Sequence, residues 1–498
     1  MRPRAPLALS IIALTLITSS ISTKDKAKRF LVYNPIFGRS HANFMGVLAD
    51  SLVDAGHDVT VIAPVIDHKL GMNGSQRGRN LEIPEHPETA AFEAKFSSWI
   101  ERVWRAKASG IGEYFNTGKL SKVFAVQCNA TLLHPGLFEN LKLQKFDAAI
   151  AEHFDLCGFA IFHHLGITKT AIASSMASIE GYSFITGLPS FPSYVPGYFP
   201  VSGDRMSFFE RVANTLGLLV NRGVFPLKVS GMDGLFRQHF GGGFPSYIEL
   251  LRNASLYFLN SEPLVDFPRP TLHRIIDIGG ITVDGAHRKP DEKWSSILSQ
   301  RKNNILISFG TVTRSHLMPE EFKNTILEVI RRFPDTTFIW KYEDGSHNIS
   351  QGIDNLIDAP FVPQTDLLHD PRLSLFITHC GQGSTMEAST SGVPLIVIPV
   401  MGDQRRNAEA IKRLGTGIML EKEDLEGTDK LLNAIETVLN SPRYRERAHL
   451  VGRMLSDKPI KPRELFVRNM EFLAEFGPLR MLDHYGANMN FIQFYLID

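Results

Sequence analysis

The chain has 498 residues, 43% hydrophobic and 21% charged, which is room for several domains of ordinary globular composition. Lysine and arginine number 53 and aspartate and glutamate 52, so no basic excess marks nucleic acid or an anionic membrane surface as the main partner. Cys128, Cys157 and Cys380 lie far apart without metal-ligand spacing, which excludes a disulfide framework and argues against zinc. One pair can still form, but the expectation is three buried thiols.

In chain order, residues 1–22 read as a secretory signal peptide. Two arginines precede an apolar run from Leu7 to Ile17 that is too short to cross a bilayer, and Ser20 and Ser22 suit cleavage before Thr23. RFLVYNP is a short buried strand, Ser40 to Ala55 is helical in pattern and stopped by Gly56, and DVTVIAP is the next strand. FDAAIAEHF is another strand that ends in polar residues. Ser190 to Gly203 is a loop rich in proline, serine and aromatics. After a polar break at GAHRKPDE come the strand NNILISFGT, a helix from Pro319 to Arg332, and the strands TTFIWKY, LSLFITH and PLIVIP. Helical segments run from Ser384 to Ser391 and from Asn407 to Leu414, and Arg463 to Asp498 is helical at first and then irregular. Apolar strands alternating with amphipathic helices predict parallel sheets with right-handed crossovers. The predicted organisation is α/β, with two doubly wound domains facing across a cleft, residues 23–285 and 286–462, followed by a tail over 463–498.

Polar residues and glycines gather where the second domain's strands meet its helices, the ligand-binding edge of an open α/β sheet. LSLFITH runs into Cys380-Gly381-Gln382-Gly383-Ser384 and then a helix, a turn whose small residues and helix N-terminus suit a diphosphate. His379 ends the strand and can donate to the same anion. Glu387, one turn into the helix, can accept from ribose hydroxyls. Asp403 and Gln404 follow the next strand and suit sugar hydroxyls. Phe361 with Gln364 offers an aromatic face and an amide edge to a planar base, and Ser308, Gly310 and Thr311 form a second small-residue turn. Each has a plainer reading as a cap, a core aromatic or a turn, but all of them together do not.

The order ITHCGQGSTMEA, GVPLIVIP, GDQRRNA resembles the signature of the UDP-glycosyltransferases. The resemblance extends through SHANFMGVLADSLVDAGHDVTV, PSYVPGYFPVSGDRMSFFERVAN and KPIKPRELFV. It implies the GT-B fold, sugar transfer from a UDP-sugar to a small lipophilic acceptor, and a detoxifying role, with no metal and no cofactor beyond the UDP-sugar co-substrate. By position, Phe361 stands where the family has a base-stacking tryptophan, and Gln364 is its uracil-side glutamine. His379 matches its phosphate histidine, Glu387 its ribose glutamate, and Asp403 with Gln404 its sugar pair. Cys380 replaces a common glycine and is expected to crowd the phosphate turn. Arg405 or Arg406 can meet the carboxylate of a glucuronate donor; the competing reading is a solvated helix face, with glucose as donor.

His41 follows the first strand and matches the family's catalytic base. A near-neutral histidine suits proton abstraction from a hydroxyl, oriented by a carboxylate. The resemblance places that carboxylate at Glu152, where the family has aspartate, with Asp155 as the alternative. Phe191, Tyr194, Tyr198 and Phe199 are candidates for the acceptor wall. A non-catalytic paralogue that binds UDP-sugar and regulates an active relative is the rival reading. A hydrolase reading finds no G-x-S-x-G nucleophile motif in the chain. The resemblance also brings homo- or hetero-oligomers with related transferases as partners. The expected location is the endoplasmic reticulum lumen or secretory pathway, without the family's usual C-terminal membrane anchor, with sequons at Asn73, Asn129, Asn253 and Asn348 open to glycosylation.

Overall fold

The structure, a computed structural model, describes residues 27–498 except 107–109, 178–182, 189, 199–201, 286–287, 495 and 497–498. The signal-peptide reading therefore lies outside the described residues. Two parallel sheets organise the chain. The first contains β1 (Arg29–Tyr33), β2 (Asp58–Pro64), β3 (Arg79–Ile83), β4 (Ala148–Glu152), β5 (Thr170–Ser174), β6 (Leu256–Leu259) and β7 (Ile275–Asp277), in the order β3-β2-β1-β4-β5-β6-β7. The second contains β8 (Asn303–Ser308), β9 (Thr336–Lys341), β10 (Leu356–Ala359), β11 (Leu373–Thr378), β12 (Leu395–Val397) and β13 (Gly417–Met419), in the order β10-β9-β8-β11-β12-β13. In each sheet the order reverses beside the first strand, between β1 and β4 and between β8 and β11. There the crossovers leave on opposite sides and a crevice opens at the strands' carboxyl ends.

The central strands are apolar throughout because helices cover both faces. Phe30, Val32, Phe44 and Leu48 pack with Ala148 and Ile150 on one face of the first sheet, while Leu31 and Tyr33 join Phe159, Phe162 and Phe236 on the other. Ile305, Ile307, Phe338, Trp340 and Leu375 form one core face of the second sheet, and Leu306, Ile339, Phe376 and Val397 the other. The helix Pro462–Phe476 returns to the first sheet and seats Phe466, Met470 and Leu473 against Phe258 and Phe30.

Two features depart from the sequence expectation. The helix Pro87–Arg105, inserted after β3, packs against the second domain. Its Ile100, Val103 and Trp104 sit in that domain's core, and the Trp104 indole donates to the Thr313 carbonyl at 3.2 Å. A linear division of the chain misses this because the helix's apolar face says only that it is covered, not by which domain. The cysteines also depart: Cys128, in the helix Gly110–Leu132, is bonded to Cys157, which opens the helix Cys157–His164, and only Cys380 is a free thiol. The separation of 29 residues carried no pairing signal; the packing of the two helices brings the sulfurs together.

Candidate functional site

The cleft between the two sheets has a volume of about 1910 Å³ and is lined from both domains. Ser308, Gly310, Thr311, Phe361, Gln364, His379, Gly381, Gly383, Ser384, Glu387, Asp403 and Gln404 all face it, and so does His41 from the opposite domain.

On the second domain, β11 ends at Thr378 and the chain turns through His379, Cys380 and Gly381 into the helix Gln382–Ser391. No side chain caps that helix, so its first-turn N–H groups are left for a ligand. The His379 imidazole lies between two glycine turns: a Cβ on Gly310 or on Gly381 would stand 2.6 Å from its Nε2. Gly310 has φ +80°, a second reason for glycine there. Burial, together with the nearby Lys341 ammonium, holds His379 neutral down to about 3, so in the free protein it acts as a neutral donor. Lys341, the last residue of β9, donates to the Gly310 carbonyl at 2.7 Å and to Glu343 at 2.9 Å, and it faces the cleft. The sequence reading passed over it, although a cation closing an apolar strand at the binding edge was a usable signal.

Cys380 does not crowd the turn. Its side chain is fully buried among Leu373, Phe376 and Ala388, with Sγ 3.3 Å from the Thr385 hydroxyl. A glycine would supply backbone freedom at this position: Cys380 sits at φ +65°, which for a residue with a Cβ costs about 1 kcal/mol.

At the base and ribose end, Phe361 is 64% exposed on the cleft wall. The Gln364 amide donates to Ser384 Oγ at 3.1 Å and to Glu387, whose carboxyl is raised by burial. At the sugar end, Gln404 Oε1 accepts from the Val400 and Met401 N–H groups at 2.8 and 2.9 Å, which turns its amide nitrogen into the polar group left for a ligand. Asp403, also raised by burial, accepts from Asn407 at 2.9 Å, and Asn407 donates to the Cys380 carbonyl at 3.1 Å. Asn407, read from the sequence only as a helix residue, thus ties the sugar pair to the phosphate turn.

Neither expected arginine reaches the sugar end. Arg405 forms a two-point pair with Glu421 at 2.7 and 2.6 Å. Arg406 is 2% exposed, so it is not a solvated helix face either; it is paired with Asp266 at 2.6 Å and donates to the Pro196 carbonyl at 3.1 Å, locking the two domains together. Helical periodicity placed both side chains but not the acids that claim them.

On the first domain, β1 leads through Gly38 into the helix Arg39–Asp54 and sets His41 in its first turn. Glu152 ends β4, beside β1 in the sheet. Both Glu152 oxygens lie 3.1 Å from His41 Nδ1. Glu152 is 3% exposed, His41 is 26% exposed on the cleft side, and the Phe154 ring stands edge-on to the imidazole. Burial opposes charge on both groups, but their attraction overrides it: Glu152 is held well below the usual carboxyl range and His41 above the ordinary 6.5. Asp403, across the cleft, adds to the rise at His41. The carboxylate fixes the proton on Nδ1 and leaves the Nε2 lone pair for the cleft. The alternative partner, Asp155, faces away. It is pushed up to about 7 by burial and accepts from the Tyr33 hydroxyl at 3.0 Å and the Cys157 N–H at 3.0 Å, so its carboxyl is committed to the first domain's interior.

The acceptor wall differs from the loop predicted. Tyr198 faces the cleft, but Phe191 and Tyr194 pack against each other with tilted rings and do not line it, and Phe199 lies outside the described residues. The apolar lining comes instead from Phe37, Leu70, Phe96, Trp99, Val126 and Phe154. The inserted helices supply several of these, and periodicity could not assign them to the cleft.

The sequence profile of the UDP-glucoronosyl and UDP-glucosyl transferase family matches residues 31–498. The chain belongs to that family. As a UDP-glycosyltransferase it is an enzyme that transfers sugar from a UDP-sugar, on the two-domain GT-B fold. It is 30% identical to UDP-glucuronosyltransferase ugt-47 of Caenorhabditis elegans, over 95% of this chain and 89% of that protein. It is 26% identical to the mouse 2-hydroxyacylsphingosine 1-beta-galactosyltransferase, over 95% and 85%. Among solved structures, Os79 from O. sativa, crystallised with U2F and a trichothecene, superposes with a TM-score of 0.62 at 17% identity, covering 90% of this UDP-glycosyltransferase and all of Os79.

Proposed function

We propose that the enzyme transfers a hexose, with inversion, from its UDP-sugar to a hydroxyl of a small lipophilic acceptor. The observation that carries this is the His41–Glu152 pair on the wall of the cleft that the donor-side residues also line. His41 Nε2 takes the hydroxyl proton as the acceptor oxygen bonds to the anomeric carbon. The bond from that carbon to the diphosphate breaks, and its electron pair leaves on the phosphate oxygen. Glu152 stabilises the imidazolium, and His379 with the N-terminus of the helix Gln382–Ser391 stabilises the departing charge. The apolar lining on the first domain fits a lipophilic acceptor. The commitment of Arg405 and Arg406 to Glu421 and Asp266 supports a neutral hexose over glucuronate.

His41→Ala is expected to lower turnover by about three orders of magnitude while UDP binding, followed by calorimetry, persists. Normal turnover would overturn the base assignment, and UDP binding by the wild type without transfer across a broad acceptor panel would favour the regulatory reading. UDP-glucose and UDP-glucuronate compared side by side decide the donor. We also propose a secretory-pathway lumen as the working compartment, a reading supported by the Cys128–Cys157 bond and the N-terminal sequence. Protease digestion of intact microsomes tests it: cleavage without detergent would rule it out.

A further inference from the structure

A chain of buried side chains runs along the floor of the cleft from the donor side to the base, and the mechanism above does not use it. Gln382, in the first turn of the helix Gln382–Ser391, donates through Nε2 to the Asn260 carbonyl at 2.5 Å. Asn260 directly follows β6 of the other domain, and its Nδ2 donates to the Ser175 carbonyl at 3.1 Å. Ser175 directly follows β5 and touches both members of the pair: its N–H donates to Glu152 Oε1 at 2.9 Å, and its Oγ lies 2.9 Å from His41 Nδ1. With the Nδ1 proton fixed by the carboxylate, that hydroxyl oxygen is a further acceptor for the same N–H. Gln382, Asn260, Ser175 and Glu152 are all buried.

We propose that Gln382, Asn260 and Ser175 are positioning residues that couple the diphosphate end of the donor site to the His41–Glu152 pair. The coupling is mechanical. A diphosphate held at the N-terminus of the helix fixes its first turn and therefore Gln382. Gln382 fixes the Asn260 backbone, and Asn260 fixes the Ser175 backbone, whose N–H sets the carboxylate's angle to the imidazole. Small errors in that angle matter because the base must meet the acceptor hydroxyl within hydrogen-bond reach. The bond from Gln382 to Asn260 joins the two domains, so it forms only when they are set as they are here. The chain thereby ties the base's alignment to the domain arrangement in which donor and acceptor meet.

The inference rests on His41 being the base, so His41→Ala is measured alongside. The test is Gln382→Leu, which keeps the size of the side chain and removes the donated hydrogen bond, assayed at saturating donor across pH. The expected result is a kcat lowered about fivefold to tenfold, the scale of one hydrogen bond, with the donor KM within about twofold. The acid limb of kcat moves to lower pH, because a misaligned carboxylate stabilises the imidazolium less. Asn260→Ala breaks the same chain one step on. The double variant is expected to be no slower than the slower single one, whereas independent effects would multiply. An unchanged kcat and an unmoved acid limb in Gln382→Leu would overturn the inference, and so would a loss confined to KM. If His41→Ala is inactive and Gln382→Leu behaves as wild type, the coupling alone is wrong. If His41→Ala turns over normally, the base assignment has failed first.

Discussion

Replacing Glu152 with glutamine removes one charge and almost no volume, and its cost follows from the geometry. The carboxylate lies 3.1 Å from His41 Nδ1 through both oxygens and is nearly inaccessible to water, while the imidazole is about a quarter exposed. Two unit charges at about 4 Å attract by about 4 kcal/mol at an effective dielectric of about 20, and the exposed side of the ring reduces that to about 2–3 kcal/mol. A second effect adds to the first. A glutamine amide can donate to Nδ1 and so stabilise the tautomer with its proton on Nε2, the nitrogen that must accept the acceptor's proton. Together the effects predict a fall in kcat of about a thousandfold. The pH profile gives a separate readout. The base works when neutral, so the rate falls as pH drops through its pKa. The wild type, with His41 raised above 6.5, loses activity at a higher pH than an ordinary imidazole would impose, and Glu152→Gln moves that limb downward. The assay is the initial rate of UDP release at saturating donor across pH, with UDP affinity measured separately. A variant within tenfold of wild type, with an unmoved acid limb, would falsify the pairing.

The exposed Phe361 is expected to carry base stacking, so Phe361→Ala should weaken UDP binding about tenfold by calorimetry with little change in kcat, on the scale of one aromatic–base contact. Gly310→Ala places a methyl 2.6 Å from His379 Nε2 at a backbone φ of +80°; loss of turnover with melting temperature lowered by only a few degrees is the expected result, and full activity would show that His379 does not sit where leaving-group stabilisation needs it. Changing Cys128 and Cys157 together to serine opens a loop of 29 residues and should cost about 3 kcal/mol in denaturant unfolding, whereas a stability equal to wild type would mean that the bond is not formed.

Much of the donor side was legible in the sequence because its elements are local. The strand that ends at Thr378, the glycine turn and the helix behind it form one contiguous unit, and the hydrogen-bonding period of each segment places His379, Ser384 and Glu387 on the binding edge without reference to the rest of the chain. The same holds for the position of His41 after β1. Cys380 shows the limit: its place in the turn was readable, but its positive φ and its inward-facing thiol came from the backbone's path.

Partnership between distant segments was not legible from pattern and periodicity; the one distant pair anticipated, His41 with Glu152, came from the family resemblance. The sequence determined that apolar strands and amphipathic helices would build two parallel sheets, since burying period-2 and period-3.6 stripes leaves few alternatives, and it determined which residue types stand at the strand ends. Tertiary structure decided which of those residues meet. It set Glu152 rather than Asp155 against His41, claimed Arg405 and Arg406 for Glu421 and Asp266, drew the helix Pro87–Arg105 across to the second domain, and strung Gln382, Asn260 and Ser175 between the domains. The physical reason is that a side chain's direction follows from its own few residues of backbone, whereas its partner is fixed by how whole sheets and helices pack, over separations for which the chain carries no periodic signal.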